Sequence, residues 1–522
     1  MKMMNRRTFI QRLASTGIVL PLAMGFPRVR AFAQSPAGSP FMRLASAAND
    51  HVMIIIRLAG GNDGLNTIVP YNNETYYTAR KRGVAGEDLS IPAEQVVKFS
   101  DSTTLGLHPG LAPLMELYNE KKMTVVQNVG YPNQNLSHFR STDIWLSGSD
   151  WNVYDNAGWY AKYLEEKYPD YPSVVPKDPF AIELGTYLST TLIGENNNMG
   201  IAVSDLSFIP GQPDTDPVRS TNAGIEEEYV RQIARQSNLF SNSILDAFVK
   251  SPTNRVTYPG GTNALALGLS AIARLIAGGL GTQMYIVNVG GYDTHTGQLA
   301  LQNTLHSNLA GAVLAFQRDM EAFGLDQRVT LMTISEFGRR VYSNGTGTDH
   351  GSAAPLFVFG SGVRGGIIGT DPNLEDLEGA GNIKMQHDFR QVYASVLGQW
   401  FGAPEEQITP VALPRHFDQL PIFKVAPSGV DDRDVAAASL RLGQNYPNPA
   451  SNGTVIPVEG VSAIADAQLM VYDAQGRVMI SERLSPGQTS VEIGTRGMPS
   501  GTYVYELVAA GKRLQRKMTV RH

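Results

Sequence analysis

The segment Val52–Leu58, VMIIIRL, is followed one residue later by the glycine-rich turn Gly60–Gly64, GGNDG. All residues of the first segment except Arg57 are apolar. A nearly continuous apolar run, without the alternation of a half-exposed strand, is typical of a parallel strand that is buried on both faces. We therefore expect a buried parallel strand whose carboxyl end opens into a polar turn.

Four further segments have the same apolar, β-branched character, namely Met123–Val129, Gln283–Val289, Val329–Ile334 and Leu356–Phe359. Helical periodicity lies between them. It is clearest over Leu299–Phe323, where apolar residues recur every three or four positions. This alternation of strands and helices predicts an α/β fold with a mostly parallel sheet sandwiched by helices.

Ligand-type side chains follow the first four of these strands. In chain order they are Asp63, Ser137, His138, Asp293, His295, Glu336 and Arg339. A last pair, Asp349 and His350, precedes the fifth strand. The carboxyl ends of the strands form the ligand-binding edge of an open α/β sheet. We therefore expect these remote segments to meet around one cavity.

The residue types at this edge predict a divalent metal site. Asp293 and His295 are two residues apart and share a face of an extended segment. Asp349 and His350 are neighbours, so one would be a ligand and the other a support. The chain has no cysteine, which excludes thiolate ligands, disulfides, cysteine nucleophiles and iron–sulfur clusters. Carboxylates and imidazoles suit Zn, Mn, Fe, Mg or Ca, and the sequence does not choose among them.

These motifs also have a structural explanation, because a lone DTH (Asp293–His295) or SEFGR (Ser335–Arg339) sequence is usually part of a turn. Asp63 in GGNDG is, by itself, more typical of a turn than of a ligand site. Ser137 is a natural N-cap for the helical segment that follows it. Arg339 and Arg340 fit a solvated turn. The coincidence of acids and imidazoles at one edge favours joint metal binding over independent turns.

The chain ends carry different signals. Residues 1–33 combine a basic start, the apolar run Gly17–Phe26 and the small-residue pattern Ala31–Ala33, which predicts an export signal peptide. Asn5–Ile10 resembles the twin-arginine pattern. The apolar run is shorter than the roughly 20 residues of a spanning helix, and no other stretch is long enough. We expect an exported protein without a transmembrane segment in its mature form.

Composition sets further limits. At roughly 150 residues per domain, 522 residues predict about two to four domains. The hydrophobic fraction of 42% is sufficient for packed cores. The formal net charge of -5 gives no positive field, so broad nucleic-acid binding is not expected.

The pattern changes after Gly402. Residues 403–438 are rich in Pro, Asp and Ala and predict a linker, and residues 439–522 contain short alternating strands that predict a small β-sandwich. A carbohydrate-binding sandwich is the alternative, which the scarcity of aromatic residues disfavours.

This C-terminal part resembles the type A sorting domain of the type IX secretion system. The matching motifs are NYPNP (Asn445–Pro449), VYDAQGR (Val471–Arg477), GTYVYEL (Gly501–Leu507) and a basic end over 512–521. The resemblance implies that the type IX machinery is a partner through residues 439–522. It also implies passage through the periplasm to the cell surface or the exterior.

Residues 49–402 resemble a bacterial family of exported proteins of unknown function (domain of unknown function 1501), which is grouped with the alkaline phosphatase and sulfatase superfamily. The resemblance rests on GGNDGLNTIVPY (Gly60–Tyr71), SHF (Ser137–Phe139), GGYDTHTGQ (Gly290–Gln298), SEFGRR (Ser335–Arg340), GTDHG (Gly347–Gly351) and DFRQVYASVLGQWFG (Asp388–Gly402). It implies an alkaline-phosphatase-like α/β domain.

The resemblance also implies roles. Ser137 would be the nucleophile, and Arg339 or a second ion would stabilise charge on the transferred group. The metal ligands would be Asp63, Asp293, His295, Glu336, Asp349 and His350. The chain would then be a metal-dependent hydrolase of phosphate or sulfate esters, acting on a small or polymeric anionic substrate.

The chain departs from the superfamily pattern. Glu336–Phe337 replaces an Asp-His pair, and without cysteine or a Ser-x-Pro-x-Arg run a formylglycine sulfatase is disfavoured. One alternative is a non-catalytic surface protein that binds a glycan or anionic polymer in the same cleft. A structural envelope component with a vestigial cleft is another.

Overall fold

The computed structural model describes residues 50–81, 87–204, 239–424, 441–459, 467–473, 475–485, 488–509 and 512–522. The predicted signal peptide at 1–33 lies outside the described residues. The chain divides into two compact units, whose described parts are residues 50–424 and 441–522.

The first unit is built on a nine-stranded sheet. Its strands and the short strands around it are β1 Val52–Leu58, β2 Ile68–Val69, β3 Val97–Lys98, β4 Gly106–Leu107, β5 Met123–Gly130, β6 Ala181–Leu184, β7 Ile201–Val203, β8 Met284–Val289, β9 Val329–Ile334, β10 Gly338–Ser343, β11 Thr348–Gly351, β12 Ala354–Phe359, β13 Gly366–Ile368 and β14 His387–Asp388. The order in the sheet is β13-β5-β12-β9-β1-β8-β6-β7, and β14 also pairs with β5.

The sheet is mostly parallel, as predicted, but the fifth predicted strand is not. β12 runs antiparallel to both β5 and β9. A run that is apolar on both faces marks burial but not direction, which explains the error. Because β12 is reversed, its amino-terminal end lies at the same edge as the carboxyl ends of β1, β8 and β9. The segment before it, which includes β11, is thereby brought to the ligand-binding edge.

Helices cover both faces of the sheet. They are α1 Gly64–Thr67, α2 Glu74–Arg80, α3 Leu114–Asn119, α4 His138–Ser147, α5 Trp159–Lys167, α6 Ala264–Ala277, α7 Gln298–Phe323, α8 Phe389–Ser395 and α9 Glu405–Gln407, with a further helical stretch over 239–250. Shorter 3-10 or π turns lie at Pro109–Leu111, Thr190–Leu192, Asp326–Arg328, Val396–Trp400 and Ile408–Ala412.

Two apolar cores show which helices lie on which face. Met53 and Ile55 of β1 belong to one core together with residues of α4 and α5. Ile54 and Ile56 belong to the other, with residues of α6 and α7. Alternate strand residues point to opposite faces, so β1 fills both cores, and each buried side chain contributes about 1.5–3 kcal/mol.

The first unit continues beyond the predicted boundary at Gly402. Ile408, Leu413, Phe417 and Ile422 are part of the core on the α4 face. The predicted linker over 403–438 therefore begins too early, and residues 425–438 lie outside the described part. The apolar residues of 403–424 are irregularly spaced among prolines and short turns, so no helix or strand period reveals them.

The second unit is a small β-sandwich with its own core. Its strands are β15 Arg441–Leu442, β16 Gly453–Glu459, β17 Ala467–Tyr472, β18 Val478–Leu484, β19 Ser490–Gly494, β20 Gly501–Ala509 and β21 Lys512–Val520, in the sheets β15-β16-β19 and β18-β17-β20-β21. The backbone N–H of Asn445 donates to the Tyr505 hydroxyl at 2.8 Å. This bond ties the NYPNP motif to the GTYVYEL strand.

Among the described residues, no helix is both long enough and apolar enough to cross a membrane.

Candidate metal centre

Four side chains converge at the carboxyl edge of the sheet. His138 is the first residue of α4, Asp293 and His295 follow β8, and His350 lies on β11. Ligand atoms of His138, Asp293 and His350 all lie within 4.8 Å of one another. His295 Nε2 adds a further donor, 3.1 Å from Asp293 Oδ1 and 2.9 Å from His350 Nε2. The polar residues of three separate chain segments thus share one site.

His350 is oriented by the backbone in front of α4. Its Nδ1 is 2.8 Å from the Leu136 carbonyl oxygen, so the proton on Nδ1 is donated there. Its Nε2 then presents a lone pair, 3.1 Å from Asp293 Oδ1. Burial lowers the pKa of His350, although the bond to Leu136 opposes this. A neutral ring with a fixed tautomer is the form in which histidine binds a metal.

His138 is held from behind by Glu336. His138 Nδ1 lies 2.9 Å from Glu336 Oε1, which also accepts the Gly60 backbone N–H at 2.8 Å. His138 Nε2 lies 3.4 Å from Asp293 Oδ2. A carboxylate that orients the far nitrogen of an imidazole is a common support for metal-ligating histidines.

Asp293 is the acid at the centre of the group. Burial opposes its ionisation, but the hydrogen bond and charge of Arg339 outweigh burial and lower the pKa of Asp293 to about 2. Its carboxylate is therefore charged at neutral pH and faces the imidazoles of His138, His295 and His350.

The residues fit a divalent metal ion. Donor atoms bound to such an ion at about 2.0–2.2 Å lie roughly 3 Å apart, which matches the spacings of 2.9–3.4 Å found here. Two Nε2 atoms only 2.9 Å apart repel unless a proton or a cation lies between them. In addition, Glu336 Oε2 is buried and has no hydrogen-bond partner among the described residues, which favours positive charge nearby.

Asp349 supports His295 from the outer side. Its Oδ1 lies 3.5 Å from His295 Nδ1 and accepts a hydrogen bond from Asn344 at 3.0 Å. The Asn344 bond and the nearby Arg340 lower the pKa of Asp349. His350 therefore faces Asp293, whereas the adjacent Asp349 lies behind the imidazole of His295.

Phe337 forms an apolar wall beneath the cluster. Its ring is 4.9 Å from the His138 ring and 4.6 Å from the His350 ring, between centroids. It is buried, and its ring therefore provides a fixed apolar surface against which these two imidazoles pack.

Glycine lets the loops approach closely. Gly60 has a φ of +125°, and a Cβ atom there would lie 2.2 Å from the Asp293 backbone nitrogen. At Gly347 a Cβ would lie 2.3 Å from the Thr294 carbonyl oxygen. The loops after β1 and β8 and the turn before β11 are thus packed backbone against backbone, and no other residue type fits at these two positions.

The prediction that Asp63 is a metal ligand is not supported. Its carboxylate is fully buried and forms two 2.7 Å bonds with Arg80 of α2. It also caps α1 by accepting the backbone N–H groups of Leu65 and Asn66. Gln298 donates a hydrogen bond to Asp63 and accepts one from Thr348 of β11. The Asp63–Arg80 pair thus lies behind the site and supports it.

Arg339 likewise has a different position from the one predicted. It is buried and donates to the carbonyl oxygens of Gly61, Thr348 and Tyr292 at 2.8–3.2 Å. It also donates to the Gly60 carbonyl oxygen and to Asp293. These bonds fasten the loops, and they leave the guanidinium no free face for a transferred group. Glu336 is similarly a support of His138 in this structure.

Ser137 occupies the N-cap position of α4 but makes no side-chain cap hydrogen bond. It is exposed, and its own backbone N–H donates to Asn135 at 2.8 Å. The capping alternative is therefore not borne out. His138 is the ligand-type residue of this edge that the predicted metal set leaves out. The sequence signal for His138 is an imidazole at the first position of a helix that follows a strand ending at this edge.

Family models match two parts of the chain. Residues 262–412 match the model described as "Protein of unknown function (DUF1501)". Residues 444–521 match the model of a secretion system C-terminal sorting domain. Both resemblances are confirmed for these segments; the first includes Asp293 and His350 but not the GGNDG and SHF motifs. The second match indicates handling by the type IX secretion machinery and secretion to the cell surface or exterior.

Solved structures show distant likenesses. A Bacteroides thetaiotaomicron protein from work on metabolism of multiple glycosaminoglycans is 10% identical over 86% of this chain and 90% of its own, with a TM-score of 0.32. A protein in the alkaline phosphatase superfamily from Vibrio parahaemolyticus is 9% identical over 92% and 91%, with a TM-score of 0.29. An immunoglobulin-like β-sandwich protein from Bacteroides vulgatus is 17% identical over 16% and 95%, with a TM-score of 0.13. No curated protein matches the chain at a significant level.

Proposed function

We propose that the first unit is a secreted or cell-surface hydrolase of phosphate or sulfate esters that depends on a divalent metal ion. His138, Asp293 and His350 would hold the ion, with His295 as a further donor. The observation that supports this most is the convergence of three imidazoles on one ionised carboxylate, with ligand atoms 2.9–3.4 Å apart.

The chemistry combines a Lewis acid with a nucleophile. A bound divalent ion would polarise the ester and stabilise developing charge. The Ser137 hydroxyl, exposed and free of a cap bond, would pass its proton to water and form a bond to phosphorus or sulfur. The bond from that atom to the ester oxygen would break, and the leaving oxygen would take a proton from water to form the alcohol. Water would then cleave the seryl ester and release the inorganic anion. Glu336 and Leu136 would keep His138 and His350 aimed throughout.

The test is hydrolysis of an aryl phosphate and an aryl sulfate by the metal-supplemented full chain. Asp293→Ala should abolish turnover and metal binding together, whereas Ser137→Ala should abolish turnover and retain the metal. His416→Ala is a matched control, because this exposed imidazole pairs with Glu405 outside the cluster. Undiminished turnover by Asp293→Ala would reject the proposal.

A second candidate is non-catalytic binding of a glycan or anionic polymer in the same cleft. Phe139, beside His138, is 86% exposed, and Tyr154 is 82% exposed. Arg140 stacks on the Tyr154 ring at 4.1 Å and donates to the Val153 carbonyl oxygen at 2.6 Å, which holds the Tyr154 ring next to α4. Large exposed rings favour a ligand-binding surface. Binding without ester cleavage across a broad substrate panel would support this candidate.

The export route remains a proposal. The twin-arginine-like leader at 1–33 would carry the chain into the periplasm, and the sorting domain would then direct it outwards. Since twin-arginine export generally moves folded cargo, the ion could be inserted before export. Replacing Arg6 and Arg7 together by Lys should retain the chain in the cytoplasm, and normal export of that variant would contradict this route.

A further inference from the structure

Arg57 is the single charged residue of β1, and its place in the fold is unusual. It lies on the same face as Met53 and Ile55, which fill the core beneath α4. It is only half-buried. Its guanidinium donates to the Thr142 hydroxyl of α4 at 2.9 Å. An arginine at the end of an otherwise apolar, central strand requires an explanation beyond packing.

The position of Arg57 connects it to the metal centre. Thr142 and His138 are four residues apart on α4 and therefore lie on one face, a single turn from each other. In the sheet, Arg57 is paired in register with Asn288 of β8. Asn288 is exposed although β8 is flanked by strands on both sides. The described residues therefore leave the sheet face exposed at Asn288, beside the strand that carries Arg57.

The charges around the site favour a further cation for binding an anionic substrate. Asp293 and Asp349 are both kept ionised. The other described arginines at this edge already have partners. Arg339 donates to loop carbonyl oxygens, and Arg140 donates to the carbonyl oxygens of residues 151 and 153. Arg340 lies 3.6 Å from Asp349. Of the five guanidinium donors that an arginine has, Arg57 uses one on Thr142.

Among the described residues, the acid Glu183 interacts with the charge of Arg57 but forms no hydrogen bond with its guanidinium. Glu183 of β6 is buried and accepts from Asn288 Nδ2 at 2.8 Å and from the Ser189 backbone N–H at 2.6 Å. Burial raises the pKa of Glu183, and the hydrogen bonds to Ser189 and Asn288 and the charge of Arg57 oppose this. Glu183 thus orients Asn288 and leaves the Arg57 guanidinium available to a ligand.

We propose that Arg57, assisted by Asn288, binds the anionic oxygens of the substrate beside the metal centre. Arg57 is then a specificity-determining residue that selects anionic over neutral esters. Its planar fork suits the oxygens of a phosphate or sulfate group, which it can contact in pairs. This inference rests on the proposed function for the reaction, but anion binding can be measured by itself.

The experiment uses the full chain and calorimetric titration with inorganic phosphate and with inorganic sulfate, at constant ionic strength. Arg57→Met should weaken the affinity for at least one of the two anions by about tenfold or more, as loss of a charge-assisted pair implies. Arg57→Lys should show a smaller loss, because it keeps the charge without the fork. Arg328→Met is the matched control. Arg328 is also half-buried, but it lies at the start of β9, at the opposite edge of the sheet, and pairs with Asp50. This variant should bind both anions as the wild type does.

Each outcome decides the inference. Wild-type affinity of folded Arg57→Met for both anions, or no anion binding by the wild type, would overturn it. If Arg57→Met does not fold, Arg57→Lys decides in the same way. A merely structural role of Arg57 beneath α4 would lower the thermal midpoint and leave the affinity unchanged. Metal content is measured on the same samples: absence of metal rejects the proposed function, whereas metal without Arg57-dependent binding rejects this inference alone.

Discussion

Asp63 and Asp293 show how far a local motif determines the role of a residue. Both follow a Gly-Gly-X sequence after a strand of the same sheet. Asp63 is fully buried against Arg80 of α2, whereas Asp293 remains 45% exposed at its side chain and faces the histidines. The sequence identifies both as residues of the ligand-binding edge. It cannot show which one meets a buried arginine, because that depends on how α2 packs.

Arg80→Met should destabilise the first unit by about 3–5 kcal/mol, because it leaves the Asp63 carboxylate buried without a counter-charge. Denaturant unfolding measures the loss. The double variant with Asp63→Asn should be more stable than Arg80→Met alone, since the unpaired charge is then gone. A loss below about 1 kcal/mol for Arg80→Met would contradict the buried pair.

Gly60→Ala should cost about 2 kcal/mol or more and also weaken metal binding, because a Cβ at a φ of +125° would press on the Asp293 backbone. Gly345→Ala is the matched control, with a φ of +128° but nothing within 4 Å of the new atom. The difference in unfolding free energy between the two variants isolates the contact. Equal losses and equal metal affinity would show that Gly60 only relieves backbone strain.

At the scale of elements, apolar runs located the central strands within one or two residues. β1 and β9 agree with their predicted bounds. The short strands β6 and β7 were not predicted, because Glu183 interrupts one and the other has three residues. The reversal of β12 was invisible for a different reason: direction is set by the connection between strands and not by composition. That reversal nevertheless brings His350 to the site.

The packing of α7 against the turn at Pro109–Leu111 creates a pH-sensitive pair, His108 and His306. Burial lowers the pKa of His108 from 6.5 to about 4, and burial also lowers that of His306. The unfolded chain takes up these protons near pH 6.5, but the folded chain does not. The contribution of these histidines to the free energy of unfolding is therefore fully present above pH 6.5 and is lost as the pH falls towards 4. For His108 alone the loss is about 3 kcal/mol.

His108→Asn removes this titration and keeps a cap acceptor for the Gly110 N–H, which His108 Nδ1 accepts at 2.9 Å. Urea unfolding between pH 7 and 4, with chelator present throughout, should show a shallower loss of stability for the variant than for the wild type. Parallel curves would contradict the assignment of this acid sensitivity to His108.

At the scale of the whole molecule, the two units have separate cores, so the first should fold without the second. A chain that ends at Lys424 should unfold in a single cooperative transition near the midpoint of the full chain's first unit. A chain that ends at Gly402 should fail to fold, because it removes Leu413, Phe417 and Ile422 from the core. Circular dichroism with proteolysis distinguishes the two. Cooperative unfolding of the shorter chain would support the predicted domain boundary at Gly402.

Whether the edge of the sheet holds a divalent ion is tested most directly by elemental analysis of the purified full chain after gel filtration. We predict at least about one equivalent of a divalent metal per chain. The same content should be found in Asp63→Asn, and little or none in Asp293→Ala or His350→Ala. A metal-free wild type after supplementation, or a content that Asp293→Ala leaves unchanged, would contradict the assignment of the cluster as a metal centre.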